Sequence, residues 1–301
     1  MRARAPGKLV LSGAYAVLHG APAIATAVDR YVLADSARAA EFVTPEVEHA
    51  IGRARAPWFD ASELRQGGQK LGLGSSAAIL AASLAALELE RDPALSISEL
   101  GARVLGRARR AHESAQGGGS GIDVFASVLG GTFRFELGPS GPSARPVTLP
   151  AGIVFEAFWS GSAASTPRLL AEVRGLAERE PDAHDRLMGD QSTASRRAAE
   201  AVERGDAGEL VAALDAQGRA LAALGDAAGA PIVPEAVREL AALAREAGAA
   251  VLPAGAGGGD IVLYVGRKAS PSAFRARASE LGHERLELAF GAPGVHGAGI
   301  A

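Results

Sequence analysis

Residues 70–78, Lys-Leu-Gly-Leu-Gly-Ser-Ser-Ala-Ala, run without a break into an apolar segment that reaches residue 89. From 77 to 89 only Ser83 and Glu88 are polar, so a helix here is expected to be buried on most faces, with its N-terminus firmly anchored. The two glycines supply backbone angles that side chains disfavour and let a ligand approach the main chain, while Ser75 and Ser76 sit where the helix starts. The first N–H groups of a helix have no internal acceptor and carry the positive end of its dipole, which suits a phosphate. Gly72, Leu73, Gly74, Ser75, Ser76 and Ala77 therefore form a candidate phosphate cradle. A plain capped turn fits the same residues equally well. A Walker loop is excluded, because no Gly-Lys-Ser/Thr follows at the required spacing. A dinucleotide fingerprint, with Ala77 as its third glycine, needs a hydrophobic strand in front, and residues 64–70 are too polar for one.

A chain of 301 residues, 48% of them apolar, can bury one or two cores. The net charge of −3 is scattered, which leaves neither a nucleic-acid footprint nor a polybasic membrane patch and points to a small-molecule partner. The absence of cysteine excludes disulfides, thiol catalysis and thiolate zinc sites. Neither a signal-peptide pattern nor a run long enough to span a bilayer is seen, so a cytoplasmic location is expected. Lysine is scarce: Lys8, Lys70 and Lys268 are the whole complement, and the first two lie in glycine-containing motifs. A compact ammonium is the usual point charge beside phosphates.

Taken in order, residues 5–20 read as two strands and a turn, and residues 23–34 continue an antiparallel sheet. Residues 37–68 read as a strand or two with surface loop. Ser96-x-x-Glu99 is a capping box opening a helix to about residue 115. A second glycine cluster, at 117–121, enters a short apolar helix ending at Gly130-Gly131, and 132–137 alternates as a strand. Residues 138–146 are rich in glycine, proline and serine, which sets the expected domain boundary: 1–145 and 146–301. Beyond it come a strand over 147–159, a helix capped at Ser165-Thr166-Pro167, and helices over 190–204, 207–224 and 234–247. A third glycine cluster at 253–260 precedes a strand over 261–265; a helix from Ser270-Pro271 and a strand over 286–290 close the chain. This order fits an α+β second domain with helices on an antiparallel sheet.

Ala5-Pro6-Gly7-Lys8, Gly72-Leu73-Gly74-Ser75-Ser76-Ala77 and Gly255-Ala256-Gly257-Gly258-Gly259-Asp260 occur in that order, and together they resemble the three motifs of the GHMP kinases. The resemblance spans almost the whole chain. It implies a two-domain α+β fold, an N-terminal nucleotide-binding α/β domain and a ferredoxin-like C-terminal domain with a cleft between. The middle cluster, Ala111-His112-x-x-Ala115-Gln116-Gly117 and Gly119-Ser120-Gly121-x-Asp123, resembles the phosphomevalonate kinases, as do Lys70 and Ser160-Gly161-x-x-Ala164-Ser165-Thr166-Pro167. Mevalonate kinases usually show a proline where Gly119 stands and a glutamate near the place of His112. Two departures stand beside this: Ala14 replaces a frequent glutamate, and Leu18-His19-Gly20 is similar to the mevalonate kinases.

What the resemblance implies is phosphoryl transfer from ATP with Mg2+ to phosphomevalonate, the alternative being mevalonate or another small molecule. Lys8 and Asp123 match the catalytic pair and Ser76 the metal-contacting serine. An N-cap on the following helix is the rival role for Asp123. Lys70 and His112 would bring cations to the acceptor, although a histidine in such a place can be purely structural. Ser120, Gly121, Ser160, Ser165 and Thr166 are further candidate contacts, with a helix cap the alternative for the last two. Gly257 and Gly258 would bring backbone to the substrate, with a tight turn as the alternative. A homodimer is compatible with these implications.

Overall fold

The computed structural model describes residues 1–299, 48% helical and 24% strand. Packing sorts them into two units that interleave along the sequence: residues 1–9, 25–132 and those from 289 onward make one, and residues 10–24 and 133–288 the other.

In the first unit the strand Arg2–Ser12 alternates wet and buried residues only as far as Ala5, and is then buried throughout. It lies between the short strand His296–Gly297 and the long strand Ala23–Ala39, which pairs in turn with Pro57–Asp60. The helix Ser75–Arg91 is buried without interruption from Ala77 to Ala86, as its composition requires. Six of its residues between 77 and 86 are alanine, so neighbouring helices approach closely: Pro45–Ile51, Ile97–Gln116 and Ile122–Leu129 all pack on it. The capping box forms in full. Ser96 Oγ accepts from the Glu99 N–H at 3.3 Å, and Glu99 returns a carboxylate to the Ser96 N–H at 2.9 Å.

Two expectations fail here. Residues 16–19 form one 3-10 turn rather than a second strand. Gly13, Tyr15 and Gly20 all take positive φ, which folds the chain back on itself. The span 37–68 also holds a helix, Pro45–Ile51, started by the Thr44 hydroxyl on the Val47 N–H and by proline at its first position.

The second unit contains a four-stranded antiparallel sheet in the order Glu284–Leu286, Val154–Trp159, Ile261–Gly266, Ala250–Pro253. Five helices accompany it: Thr166–Arg179, Pro181–Arg204, Ala207–Ala228, Glu235–Glu246 and Ser272–Glu280. Phe274 stands edge-on to both Phe158 and Tyr264, 5.5 and 5.0 Å between ring centroids, in a core with Leu176, Leu221, Leu224 and Leu240. The strands Thr132–Gly138 and Gly141–Pro146 pair with each other as an antiparallel hairpin. Residues 141–146, expected as linker, are thus a paired strand. The strand expected from 147 starts at Val154, and the one expected over 286–290 is Glu284–Leu286. The helix expected from 190 starts at Pro181, where proline fixes φ at no cost in hydrogen bonds.

Candidate active site

The loop before Ser75–Arg91 is pinned from below. Leu71 and Leu73 are buried, and the Leu71 N–H donates to Leu64 O at 3.1 Å. Gly72 and Gly74, both at positive φ, are half-buried. Gly74 is the N-cap, in the left-handed region, and no side chain caps the helix. Ser75 and Ser76 are therefore the first two helical residues, so the amides at this N-terminus keep their donors for another partner.

Lys8 meets this loop from the strand Arg2–Ser12. Its N–H donates to Leu73 O at 2.9 Å, which locks strand to loop. A Cβ on Gly7 would stand 3.0 Å from Leu73 O, and one on Gly74 would stand 3.0 Å from both Lys8 Cγ and Cε. Glycine at both places is what lets strand, loop and lysine stem touch. Lys8 Nζ lies 3.6 Å from Asp123 Oδ1; the lysine side chain is 10% exposed, the aspartate 32%.

Asp123 is the second residue of the helix Ile122–Leu129, whose N-cap is Gly121 in the left-handed region; no side chain caps it. The capping role for Asp123 is thereby removed, and its carboxylate is directed to Lys8. Ser120 Oγ instead accepts from the Ile122 N–H at 3.4 Å. His112 is half-buried near the end of Ile97–Gln116, and Lys70 is exposed, paired with Arg65 across a hairpin of two-residue strands. Among the described residues no group of three or more His, Cys, Asp or Glu is placed to hold a metal. The Asp123 carboxylate comes within 3.6 Å of where a Cβ on Gly74 would stand, and a single carboxylate at such a place is compatible with Mg2+, which commonly takes one or two carboxylates and fills its remaining positions with water and substrate phosphates.

In the second unit, the third glycine cluster is packed against its own chain. A Cβ on Gly257 would fall 2.1 Å from Ile232 O, one on Gly258 2.9 Å from Leu169 Cδ1, and one on Gly259 3.0 Å from Ser162 O. The Gly258 N–H donates to Ile232 O, and the Asp260 N–H to Ser162 O. Ser160 Oγ bonds Ser162, at 3.2 Å to its carbonyl and 3.1 Å to its hydroxyl. Ser165 occupies the N-cap position of Thr166–Arg179 without making a capping bond.

Tyr15 escaped the sequence reading. Its φ of 61° and ψ of −53°, with the Ala16 N–H donating to Ala14 O at 2.7 Å, make the rarer, strained γ-turn. The ring is buried, which pushes its hydroxyl pKa well up, and the hydroxyl donates to Ala256 O at 2.7 Å. No local sequence pattern announces a non-glycine residue in that conformation.

No family model matches the chain. It is 27% identical to the phosphomevalonate kinase of Streptomyces sp. strain CL190, over 85% of this chain and 87% of that one. It is 29% identical to the mevalonate kinase of Archaeoglobus fulgidus, over 62% and 68%. Solved structures share the fold over nearly the whole chain. The Lin0012 protein of Listeria innocua has a TM-score of 0.83 at 22% identity, covering 98% of this chain and 99% of the other. A Streptococcus pneumoniae phosphomevalonate kinase in complex with phosphomevalonate and AMPPNP has a TM-score of 0.75 at 18% identity, over 96% and 99%. Fold and relatives together support a GHMP kinase, a phosphotransferase built as a two-domain α+β protein. Within that class the chain is most like phosphomevalonate kinase, the curated relative it matches over the greater share of both lengths.

Proposed function

We propose that this chain transfers the γ-phosphoryl group of ATP to (R)-5-phosphomevalonate, giving the diphosphate, in the mevalonate route to isoprenoid precursors. The observation that carries the reading is the Lys8 ammonium held beside both an uncapped helix N-terminus and Asp123. Phosphoryl transfer is chiefly positioning and neutralisation of charge. The amides at 72–76 hold nucleotide phosphates, and Lys8 faces the charge that builds on the transferred group. Mg2+, taken by the Ser76 hydroxyl and the Asp123 carboxylate, would supply the largest single neutralising charge. Lys70 and His112 are assigned to the acceptor phosphate, with Ser120 and Gly121 at the turn that presents Asp123.

The acceptor determines what Asp123 does. A phosphate monoester has its second pKa at about 6 and is largely dianionic at neutral pH, so Asp123 need only position Mg2+ or the acceptor. A hydroxyl acceptor needs a base. The Leu18-His19-Gly20 segment and the Archaeoglobus relative favour mevalonate as the second reading. An ADP-release assay with MgATP and each acceptor separately tests both. Preference for phosphomevalonate, with substantial turnover surviving Asp123→Asn, supports the first reading; preference for mevalonate, with turnover abolished by that substitution, replaces it.

A further inference from the structure

Between the strand Val154–Trp159 and the helix Thr166–Arg179 runs Ser160-Gly161-Ser162-Ala163-Ala164-Ser165, exposed except at Ser160 and Ala164. A surface loop of small residues has no core side chain to give it one shape. Asp260, at the end of the third glycine cluster, fixes it at three places. Asp260 O accepts from the Ser160 N–H at 2.9 Å, and the Asp260 N–H donates to Ser162 O at 2.8 Å. Asp260 Oδ1 accepts from the Ala164 N–H at 3.2 Å. The first of these bonds lies one step beyond the rung that pairs Ile261 with Trp159, and the last reaches the amide next to Ser165, the N-cap residue of the helix.

Asp260 makes these bonds from a φ of 53°, and with Tyr15 it is one of two non-glycine residues at positive φ among the described residues. Left-handed backbone is disfavoured for any residue with a Cβ, although Asp and Asn bear it better than most. Gly257, Gly258 and Gly259 precede it, all at positive φ. A fourth glycine would meet the same backbone demand and keep both main-chain bonds. It could not supply the acceptor for the Ala164 N–H, so the carboxylate is what this position uses. Strain of this kind persists where the surroundings over-determine it, and it gathers at ligand clamps and active sites.

We propose that Asp260 is a positioning residue for the acceptor: it holds residues 160–165 in the one arrangement that makes Ser160, Ser165 and Thr166 available to the molecule being phosphorylated. The inference deepens the proposed function and rests on it, since those three residues are assigned to the acceptor only under that reading. Asp260 need not touch the acceptor. A loop already in its binding shape spares the acceptor the cost of ordering it. Without the carboxylate the loop visits other shapes, and apparent affinity falls with the fraction of time spent in the competent one. The nucleotide is assigned to the amides at 72–76, which this loop does not include, so its affinity is independent of that fraction.

The test compares the whole native chain with Asp260→Gly, which keeps the backbone conformation and loses only the carboxylate, and with Asp260→Asn, which keeps an oxygen acceptor in a residue that tolerates positive φ. ADP release is measured against acceptor and against ATP, with phosphomevalonate and mevalonate offered separately. Asp260→Gly is expected to raise the KM of the acceptor about tenfold, the worth of one hydrogen bond to a charged group, with kcat and the KM of ATP within about twofold of native. Asp260→Asn should recover most of that loss. Amide exchange at Ala164, followed without acceptor, should be faster in Asp260→Gly than in the native chain. Native turnover of either acceptor establishes the reaction independently of Asp260; turnover of neither removes the proposed function, and this inference with it. Given native turnover, the inference alone is overturned if Asp260→Gly leaves the acceptor KM unchanged, if the KM of ATP rises by the same factor, if Asp260→Asn is as impaired as Asp260→Gly, or if exchange at Ala164 does not change.

Discussion

The glycines at 72–74 and those at 257–259 stand in similar sequence but in different surroundings. At 72–74 buried leucines hold the loop from one side, and the backbone faces an uncapped helix end and the Lys8–Asp123 pair. At 257–259 the space a side chain would take is already filled by Ile232, Leu169 and Ser162. At the first loop the amides of an uncapped helix end keep their donors, whereas the second loop is bonded back onto its own chain at Ile232 and Ser162. Glycine richness signals close approach in both cases; what approaches differs.

Five substitutions or conditions would break or sharpen that contrast. The largest effect is expected for Lys8→Met, which keeps the buried stem and removes the charge. The partly exposed Asp123 is then left to solvent, so the fold should hold while kcat falls by roughly 10² to 10³, read by ADP release. Equal activity would strip Lys8 of its role. Next is Gly257→Ala. Its methyl would overlap Ile232 O at a φ of +80°, costing about 1–3 kcal/mol for overpacking and about 1–2 for the left-handed backbone. Gly229→Ala, also left-handed at a φ of +66° but with open space around it, should cost only the backbone part. Urea midpoints for the pair separate packing from conformation, and equal midpoints would refute the close-packed reading.

Tyr15→Phe comes third. It deprives Ala256 O of its donor, for a loss of about 1 kcal/mol, and should speed amide exchange at 255–257 more than elsewhere. Uniform exchange would show that the hydroxyl does not fix the loop. The fourth is acidification. Burial lowers the pKa of both His283 and His19, and the latter also feels His184. Between each folded pKa and the usual value of about 6.5 the unfolded chain binds more protons, so stability is complete above about 6.5 and is lost as pH falls through that window. His283→Leu should flatten the acid side of a plot of urea midpoint against pH. Smallest is Ser165→Ala, within about 0.5 kcal/mol because no capping bond is lost. A raised KM for the acceptor in that variant, at unchanged stability, would assign Ser165 to substrate.

The sequence announces an element most clearly where its signal is local. Ser96 and Glu99 make the bonds that their spacing predicts, and the apolar run at 77–86 is buried as its composition demands. Thr44-Pro45 carried an equally local signal for Pro45–Ile51, masked by its setting in an otherwise featureless span. The rest is tertiary. The pairing of Lys8 with Asp123 joins distant parts of the chain and was legible only through resemblance, and the γ-turn at Tyr15 depends on a carbonyl more than two hundred residues away. The filled space at 257–259 could not be read from the glycines, because Ile232 and Leu169 lie far off in sequence.

The interleaving of the two units bears on how the protein can come apart. The first unit recovers its edge strand, His296–Gly297, only after the second has been traversed, and the second includes residues 10–24 from near the start. A protease that cuts once anywhere between 25 and 288 therefore leaves each fragment holding pieces of both units and neither fragment holding one whole. Nicked protein should stay associated until it unfolds. Neither unit can be made as one uninterrupted stretch of this chain without a new linker.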